Sequence, residues 1–454
     1  MKSERQEERP VLVTERSKPA GDIRSRWSWV EPVVWTERML MALENGVKGE
    51  VWFSLIDKVW DLRNLRAAFA RVKANGGAAG VDHQTTELFE KDLEANLQRL
   101  SESLRMGTYR PQAIRRVYIP KPGGKELRPL GIPTIRDRTA QAALRHVLEP
   151  IFEREFAEHS YGFRPNRGCK DALRRVDELL RQGFQYVVDV DLRNYFDSIP
   201  HDRLEERLHE RVADRRVLGL ITSFLTQGVL EGMQTWTPTA GCPQGAVISP
   251  LLSNVYLNPL DHLMASAGEE MVRYADDLVI LCRTRESAEL ALKRMETWAA
   301  EAGLTLHPTK TRIVDFDERG GFDFLGYHFE RHRHQTDRTW RWPRDKSIRK
   351  LKDSLRDQTP RCNGRSLPVI IRGLNRTLCG WFEYFKHTNV RTVFPKVDGW
   401  LRLRLRRILL KREKRHRHNG LGRANQRWPI RFFREHGLFS LAAAHAAIHQ
   451  SAPR

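Results

Sequence analysis

A chain of 454 residues, 40% hydrophobic and 30% charged, is long enough for two to four domains, and none of its apolar stretches approaches the length of a membrane span. Lys and Arg number 78 against 57 Asp and Glu, and the resulting +21 charge is the footprint of a polyanion partner. With no lipidation signal, nucleic acid is favoured over a membrane surface. The five cysteines, Cys169, Cys242, Cys282, Cys362 and Cys379, stand singly, which argues against a zinc ribbon or a disulfide framework and leaves reduced, mostly buried thiols.

The N-terminus, MKSERQEERPVLVTERSKPAG, lacks the apolar centre of a secretory signal, so a cytoplasmic protein is expected. Its first two dozen residues read as disordered, or as ordered only on a partner. From residue 51 the spacing of Leu62, Leu65, Phe69 and Val72 predicts a helix that Gly76 and Gly77 end. A second helix is expected over residues 86–106. Residues 117–119 and 127–132 read as strand ends around a Pro/Gly turn that carries Lys121. Cationic hairpins of this kind can fold over a phosphate chain, with Lys as a point charge and Arg128 as a fork, although a solvated turn fits equally well. Helices follow over 137–156 and from the YGFRP loop (161–165) to about 182.

Residues 185–198, QYVVDVDLRNYFDS, form a β-type run in which Asp189 and Asp191 share one face while Val188, Val190 and Leu192 share the other. A helix over 202–212 comes next, and then a Pro/Gly loop, GCPQG (241–245), which lets backbone approach a ligand and opens an apolar helix over 247–263. Residues 271–281, MVRYADDLVIL, predict a β-hairpin with acids at its tip. An isolated pair of acids is more often a solvated turn. Here the acidic strand upstream offers a partner carboxylate, and such a cluster suits Mg²⁺, with two ions forming the clamp of nucleotidyl transfer. In an extended segment Asp276 and Asp277 cannot point the same way, and Asp276 is expected to be the bridging ligand. That chemistry reads as a polymerase. Residues 287–303 should be helical, 304–316 should end in a strand holding Lys310, and GFDFLGYHFE should form a strand pair.

From about residue 343 basic amphipathic helices take over. Over 399–417 the apolar stripe Leu401, Leu405, Ile408 and Leu409 is surrounded by Arg402, Arg406, Arg407, Lys411, Arg412, Lys414 and Arg415. A charge run is usually a solvated face, but one of a single sign beside Trp381, Phe382, Tyr384, Phe385 and Trp400 suits an RNA surface. His416 and His418 fall in this run and read as solvated or RNA-facing.

DLRNYFD, PQGAVISPLLSN, YADD, the Lys310 segment and FDFLGY occur in the block order of reverse transcriptases, and the chain from about 50 to 445 resembles those encoded by bacterial group II introns. NGGAAGVD resembles that family's N-terminal extension block, YIPKPGGKELRPLGIPTIRDRTAQ and SYGFRPNRG its finger blocks, and LNRTLCGWFEYFKHTNVRTVFPKVDGWLRLRLRR its maturase, or thumb, domain. The resemblance implies an α+β right-hand polymerase: an N-terminal extension (1–50), extension block and fingers (51–160), antiparallel palm (161–335), helical thumb or maturase domain (336–425) and a C-terminal tail (426–454) with a possible DNA-binding remnant. It implies two Mg²⁺ ions held by Asp191, Asp276 and Asp277 with the Leu192 carbonyl assisting. Phe196 would be the gate that excludes a ribose 2′-hydroxyl. Gln244 and Gly245 would position the template and nascent pair, Lys121 and Arg128 would meet the triphosphate, and Lys310 would lie near the leaving pyrophosphate. Trp381, Tyr384, Arg402, Arg406, Arg407 and Lys411 would face RNA. The implied partners are a group II intron RNA, a DNA target and primer, and dNTPs, with nucleoid association when acting on DNA and a monomeric or homodimeric state left open. Ala246 stands where the family commonly has a second Gly. No paired cysteines and histidines of an endonuclease module occur, so target nicking is not expected. The alternatives are an RNA-binding splicing factor with an idle site, and a reverse transcriptase recruited to phage defence or repair.

Overall fold

A catalytic-looking hairpin needs a braced sheet beneath it, and the computed structural model supplies one. The structure describes residues 23–120, 127–332, 339–362, 364–413 and 421–451; the expectations for the first 22 residues, Lys121, Lys414, Arg415, His416 and His418 lie outside them. The chain folds into two compact units. Among the described residues the first takes 23–120, 127–176 and 188–313, and the second takes 177–187 and those from 314 onward. The architecture is α+β, with sheets followed by a helical C-terminal region.

The strands are β1 (Ile114–Pro120), β2 (Leu127–Ile132), β3 (Tyr186–Asp191), β4 (Val229–Glu231), β5 (Gln234–Trp236), β6 (Glu270–Tyr274), β7 (Asp277–Cys282), β8 (Arg312–Asp315), β9 (Phe322–Phe324), β10 (Tyr327–Arg331) and β11 (Thr339–Pro343). Among the described residues they form three sheets, ordered β2-β1-β4-β5, β6-β7-β3-β8 and β11-β10-β9. The expected hairpin around the Pro/Gly turn is antiparallel, with Arg128 opposite Ile119, but β1 also pairs in parallel with β4, so that sheet is mixed.

Helices in the first unit follow the apolar spacing with local breaks. The first expected helix is two, Ile56–Trp60 and Leu62–Asn75, because the Asp61 carboxylate accepts from Arg63 N and caps a new start. The second likewise divides at Asp92 into Thr86–Lys91 and Leu93–Met106. Ile135–Glu153 runs through the interior and is buried on nearly every face. Lys310 is not in a strand: it sits in a turn before β8, where Pro308 cannot donate to a ladder.

In the second unit β9 and β10 join through Leu325 and Gly326, both at positive φ (46° and 82°), the backbone a two-residue hairpin turn requires. The helices Asp345–Gln358, Leu367–Phe385 and Val393–Arg412 close on one core with Leu355, Leu374, Phe394, Leu401 and Leu405 at its centre. Residues from 426 contribute to the same core through Trp428, Phe433 and Leu441. Asp398, buried, accepts from Leu441 N (3.1 Å), Ala442 N (3.1 Å) and Ser440 Oγ (2.7 Å), and so satisfies the start of the helix Leu441–Ser451. The thiols depart from expectation: Cys242 and Cys282 are buried, Cys169 is half-buried, and Cys362 and Cys379 are exposed.

Candidate active site

In β3 the alternation predicted from sequence is present: Val188 and Val190 are buried, whereas the Asp189 and Asp191 side chains stay partly open. Asp189 faces Arg312 Nε at 3.8 Å, and Asp191 Oδ2 accepts from Lys310 Nζ at 3.1 Å. His307 N donates to the Asp191 carbonyl (2.8 Å) and Arg193 N to the Thr305 carbonyl (2.8 Å), so the bridge between Leu192 and Leu306 uses neither polar group of Leu192. Asn194 at positive φ (49°) then turns the chain into the short helix Tyr195–Ser198. Tyr195 is buried there and its hydroxyl donates to the Ser253 carbonyl (2.8 Å). Phe196 is half-buried, edge-on to Tyr195 and Phe163.

The hairpin forms with Tyr274 opposite Asp277, leaving Ala275 and Asp276 as the turn. Ala275 takes φ 59°, a conformation that costs an ordinary residue about 1–2 kcal/mol and persists only where the surroundings hold it. Asp276 is half-buried. Burial pushes its carboxyl above the usual range and the Asp191 charge adds to this, while a backbone amide, Arg128 and Arg273 pull it down. Asp277 opens β7 with an exposed side chain. Asp276 thus lies within the fields of both Asp191 and Arg128. Among the described residues no group of three or more His, Cys, Asp or Glu side chains is gathered closely enough to hold a metal ion, so the expected three-acid cluster is not assembled. Two hard-oxygen ligands still fit Mg²⁺, which usually takes one or two carboxylates and completes its shell with substrate phosphates and water. A cation would relieve both the desolvation of Asp276 and its repulsion from Asp191, and the Lys310 ammonium already pairs with Asp191.

The PQG loop is locked from two sides. Gly245 lies at φ 103°, and a Cβ there would meet the Gly131 carbonyl oxygen at 2.6 Å; the Gly131 N–H donates to the Gln244 carbonyl (2.7 Å). On the other side Gly241 N donates to Ile199 O (2.8 Å) and Cys242 N to Phe196 O (2.6 Å). The Gln244 amide donates to Asp197 Oδ2 (3.2 Å). Between the loop and the mixed sheet lies a cavity of about 420 Å³ whose wall includes Arg116, Asp197, Trp236 and Gln244.

Three residues that sequence reading did not single out hold the hairpin: Arg273, Asp261 and Asn254, all buried. Their one visible signal is a lone charge or amide inside an apolar run.

In the second unit the expected RNA face divides. Arg407 and Lys411 are exposed and Arg402 half-exposed. Arg406 is buried, donates from Nε to the Trp428 carbonyl (2.9 Å) and lies over Phe433. Trp381 packs on Phe385 and Phe394, and the Tyr384 hydroxyl donates to the Leu325 carbonyl (2.7 Å). Arg406 therefore serves the core, because a guanidinium with satisfied buried partners has little left for solvent, whereas Trp381 and Tyr384 are half-buried and keep part of each ring open. The cation-rich aromatic is instead Trp400, with Lys352, Arg356 and Arg404 at 5.6, 5.5 and 5.4 Å from its ring.

Residues 119–329 match the family described as reverse transcriptase (RNA-dependent DNA polymerase), and residues 348–428 match the maturase-specific domain of group II introns. The group II intron-encoded protein LtrA of Lactococcus lactis subsp. cremoris is 39% identical over 196 residues, 43% of this chain and 32% of LtrA, so the chain spans about a third of that relative. Protein YkfC of Escherichia coli (strain K12) is 33% identical over 293 residues, 56% of this chain and 76% of YkfC. A chain of a solved partial Cas6-RT-Cas1–Cas2 complex is 22% identical with a TM-score of 0.35, covering 56% of this chain and 44% of that one. No helix among the described residues is long and apolar enough to cross a membrane. The chain belongs to the reverse transcriptases of the group II intron-encoded family, with a reverse transcriptase region followed by a maturase-specific domain.

Proposed function

We propose that the protein is an RNA-directed DNA polymerase that copies a group II intron RNA into DNA during retrohoming and binds that RNA to assist its splicing. The observation that carries the polymerase reading is that Asp276, at the tip of the hairpin, lies in the fields of Asp191 and of Arg128 on β2, with the Lys310 ammonium 3.1 Å from Asp191 Oδ2. In this reading 51–160 act as fingers, 161–335 as palm and 336–425 as thumb. Asp191 and Asp276, with Asp277 and the Leu192 carbonyl, would hold two Mg²⁺ ions. When bound, these would supply charge stabilisation for an in-line displacement at the α-phosphate of a dNTP. Arg128, with Lys121, binds the triphosphate, and Arg forks suit phosphate oxygens. Phe196 closes the ribose side and rejects a 2′-hydroxyl, while Gln244 and Gly245 seat the nascent pair. Lys310 leaves Asp191 and donates its proton toward the departing pyrophosphate.

The splicing role rests on the second unit. Arg402, Arg407 and Lys411 neutralise phosphates of the intron RNA, and the cations around Trp400 extend that surface. The DNA target and primer complete the set of partners.

The test is primer extension on an RNA template with dNTPs and Mg²⁺, comparing the native protein with Asp191→Ala. Extension by the native protein alone supports a live polymerase whose metal ligands are placed here. No extension by either, together with tight intron RNA binding, would replace this reading with a splicing factor carrying an idle palm.

A further inference from the structure

Arg273 lies in β6 with no solvent exposure, three residues before the proposed metal ligand Asp276. Its guanidinium is saturated along two edges. Nε and Nη2 donate to the two Asp261 oxygens at 2.7 and 2.5 Å. Nη1 donates to Asn254 Oδ1 and to the Ala275 carbonyl, both at 3.0 Å. Asp261 and Asn254 stand on one face of the helix Ser249–Ser266, two turns apart.

The network continues to the other side of the turn. Asn254 Nδ2 donates to the Gly162 carbonyl (2.8 Å), and Gly162 is pressed so close to the hairpin that a Cβ there would meet Ala275 N at 2.1 Å. Backbone bonds from Arg273 N to the His159 carbonyl (3.1 Å) and from Tyr161 N to the Arg273 carbonyl (2.8 Å) fasten the same loop along β6. Ala275, in its strained conformation, is therefore gripped on its carbonyl by Arg273 and flanked on its amide side by Gly162. The next peptide carries Asp276.

Stability alone is a poor reason for this arrangement. The Arg273 and Asp261 side chains are 0% and 3% exposed, and removing two charges from water costs so much that apolar replacements of similar volume are often neutral or stabilising. We infer that Arg273, held by Asp261 and Asn254, is a positioning residue that fixes the direction of the Asp276 carboxylate through the Ala275 carbonyl. The inference rests on the polymerase reading above. Partners that orient a metal ligand typically matter by about 10–100-fold in metal affinity or activity.

The experiment uses the full chain in three forms: native, Arg273→Lys, and the double variant Arg273→Met with Asp261→Val. The lysine keeps a counter-charge for Asp261 but lacks the fork that reaches Ala275 at the same time. The double variant removes both charges and nearly conserves volume. Thermal unfolding, Mn²⁺ binding to the free protein by electron paramagnetic resonance, and steady-state primer extension are measured on each.

A positioning role gives kcat lower by about 100-fold and Mn²⁺ binding weaker by about 10-fold in both variants, with KM for dNTP and RNA affinity within threefold. These losses persist at temperatures well below the unfolding midpoint. If the double variant does not fold, Arg273→Lys alone decides. Native kcat and Mn²⁺ affinity in a folded variant overturn the inference, as does a loss that vanishes on cooling. Failure of the polymerase reading looks different, because the native protein itself then extends no primer.

Discussion

Lys310 sits where a metal ion is proposed to bind, and removing it has a calculable consequence. Its ammonium is 3.1 Å from Asp191 Oδ2, with the lysine side chain 58% exposed and the aspartate 39% exposed. An ion pair this open to solvent is worth about 0.2–1 kcal/mol. A cation arriving at Asp191 must break that pair and approach against a like charge, so Lys310→Met should tighten the first metal by the same amount, about 1.5- to 5-fold at tenfold per 1.4 kcal/mol. The assay is Mn²⁺ titration of the free protein at low ionic strength without dNTP, repeated at about 0.5 M salt, where screening shrinks the difference. The same variant should lose kcat in primer extension if Lys310 serves the leaving pyrophosphate. Unchanged or weaker Mn²⁺ binding at low salt would refute the claim that the ammonium and the metal compete for Asp191.

The basic helix Val393–Arg412 offers a paired test of burial against exposure. Arg406→Ala removes a charged donor from the buried Trp428 carbonyl and the cover from Phe433, and should cost about 1.5–3 kcal/mol of stability by denaturant unfolding. Arg407→Ala should leave stability within about 0.5 kcal/mol, weaken intron RNA binding and flatten its salt dependence by roughly one unit of slope. The opposite ranking would reverse the assignment of the two arginines. His146 predicts a pH effect: it is buried, burial pushes its pKa down to about 3, and its Nδ1 is 2.8 Å from Asn64 Oδ1. The unfolded chain takes up this proton near pH 6.5 and the native state only near pH 3, so stability falls as the pH drops below about 6.5, by about 2 kcal/mol at pH 5. His146→Asn should flatten that fall, and an equal acid sensitivity in both proteins would rule out His146 as its source.

The parts of this site that sequence reveals are those governed by short-range rules. Period-two alternation placed Asp191 opposite Val190, and paired turn glycines and acids marked the hairpins. Spacing of apolar residues found most helices, though it ran through the breaks at Asp61 and Asp92, where a cap and a local backbone change divide what looks continuous. Block order identified the family, which no single motif could have done. Burial in the second unit was less legible: Arg402, Arg406 and Arg407 are alike in sequence, and only the packing of Trp428 and Phe433, more than twenty residues later, separates the buried one.

The residues that remained hidden share one property: their partners lie on other elements. Arg273 reads as one charge in an apolar strand and Asp261 as one charge in an apolar helix, and either alone would suggest a mis-set register or a surface position. Together they neutralise each other, and the guanidinium retains a donor for the Ala275 carbonyl. Asp276 shows the converse. Its neighbour Asp277 has the same chemistry and lies one position on, yet the turn at Ala275 sinks one carboxylate toward Asp191 and leaves the other exposed. The different depth of the two acids is thus set by one strained peptide, and holding that peptide in place is a task that an internal, fully paired cation can perform.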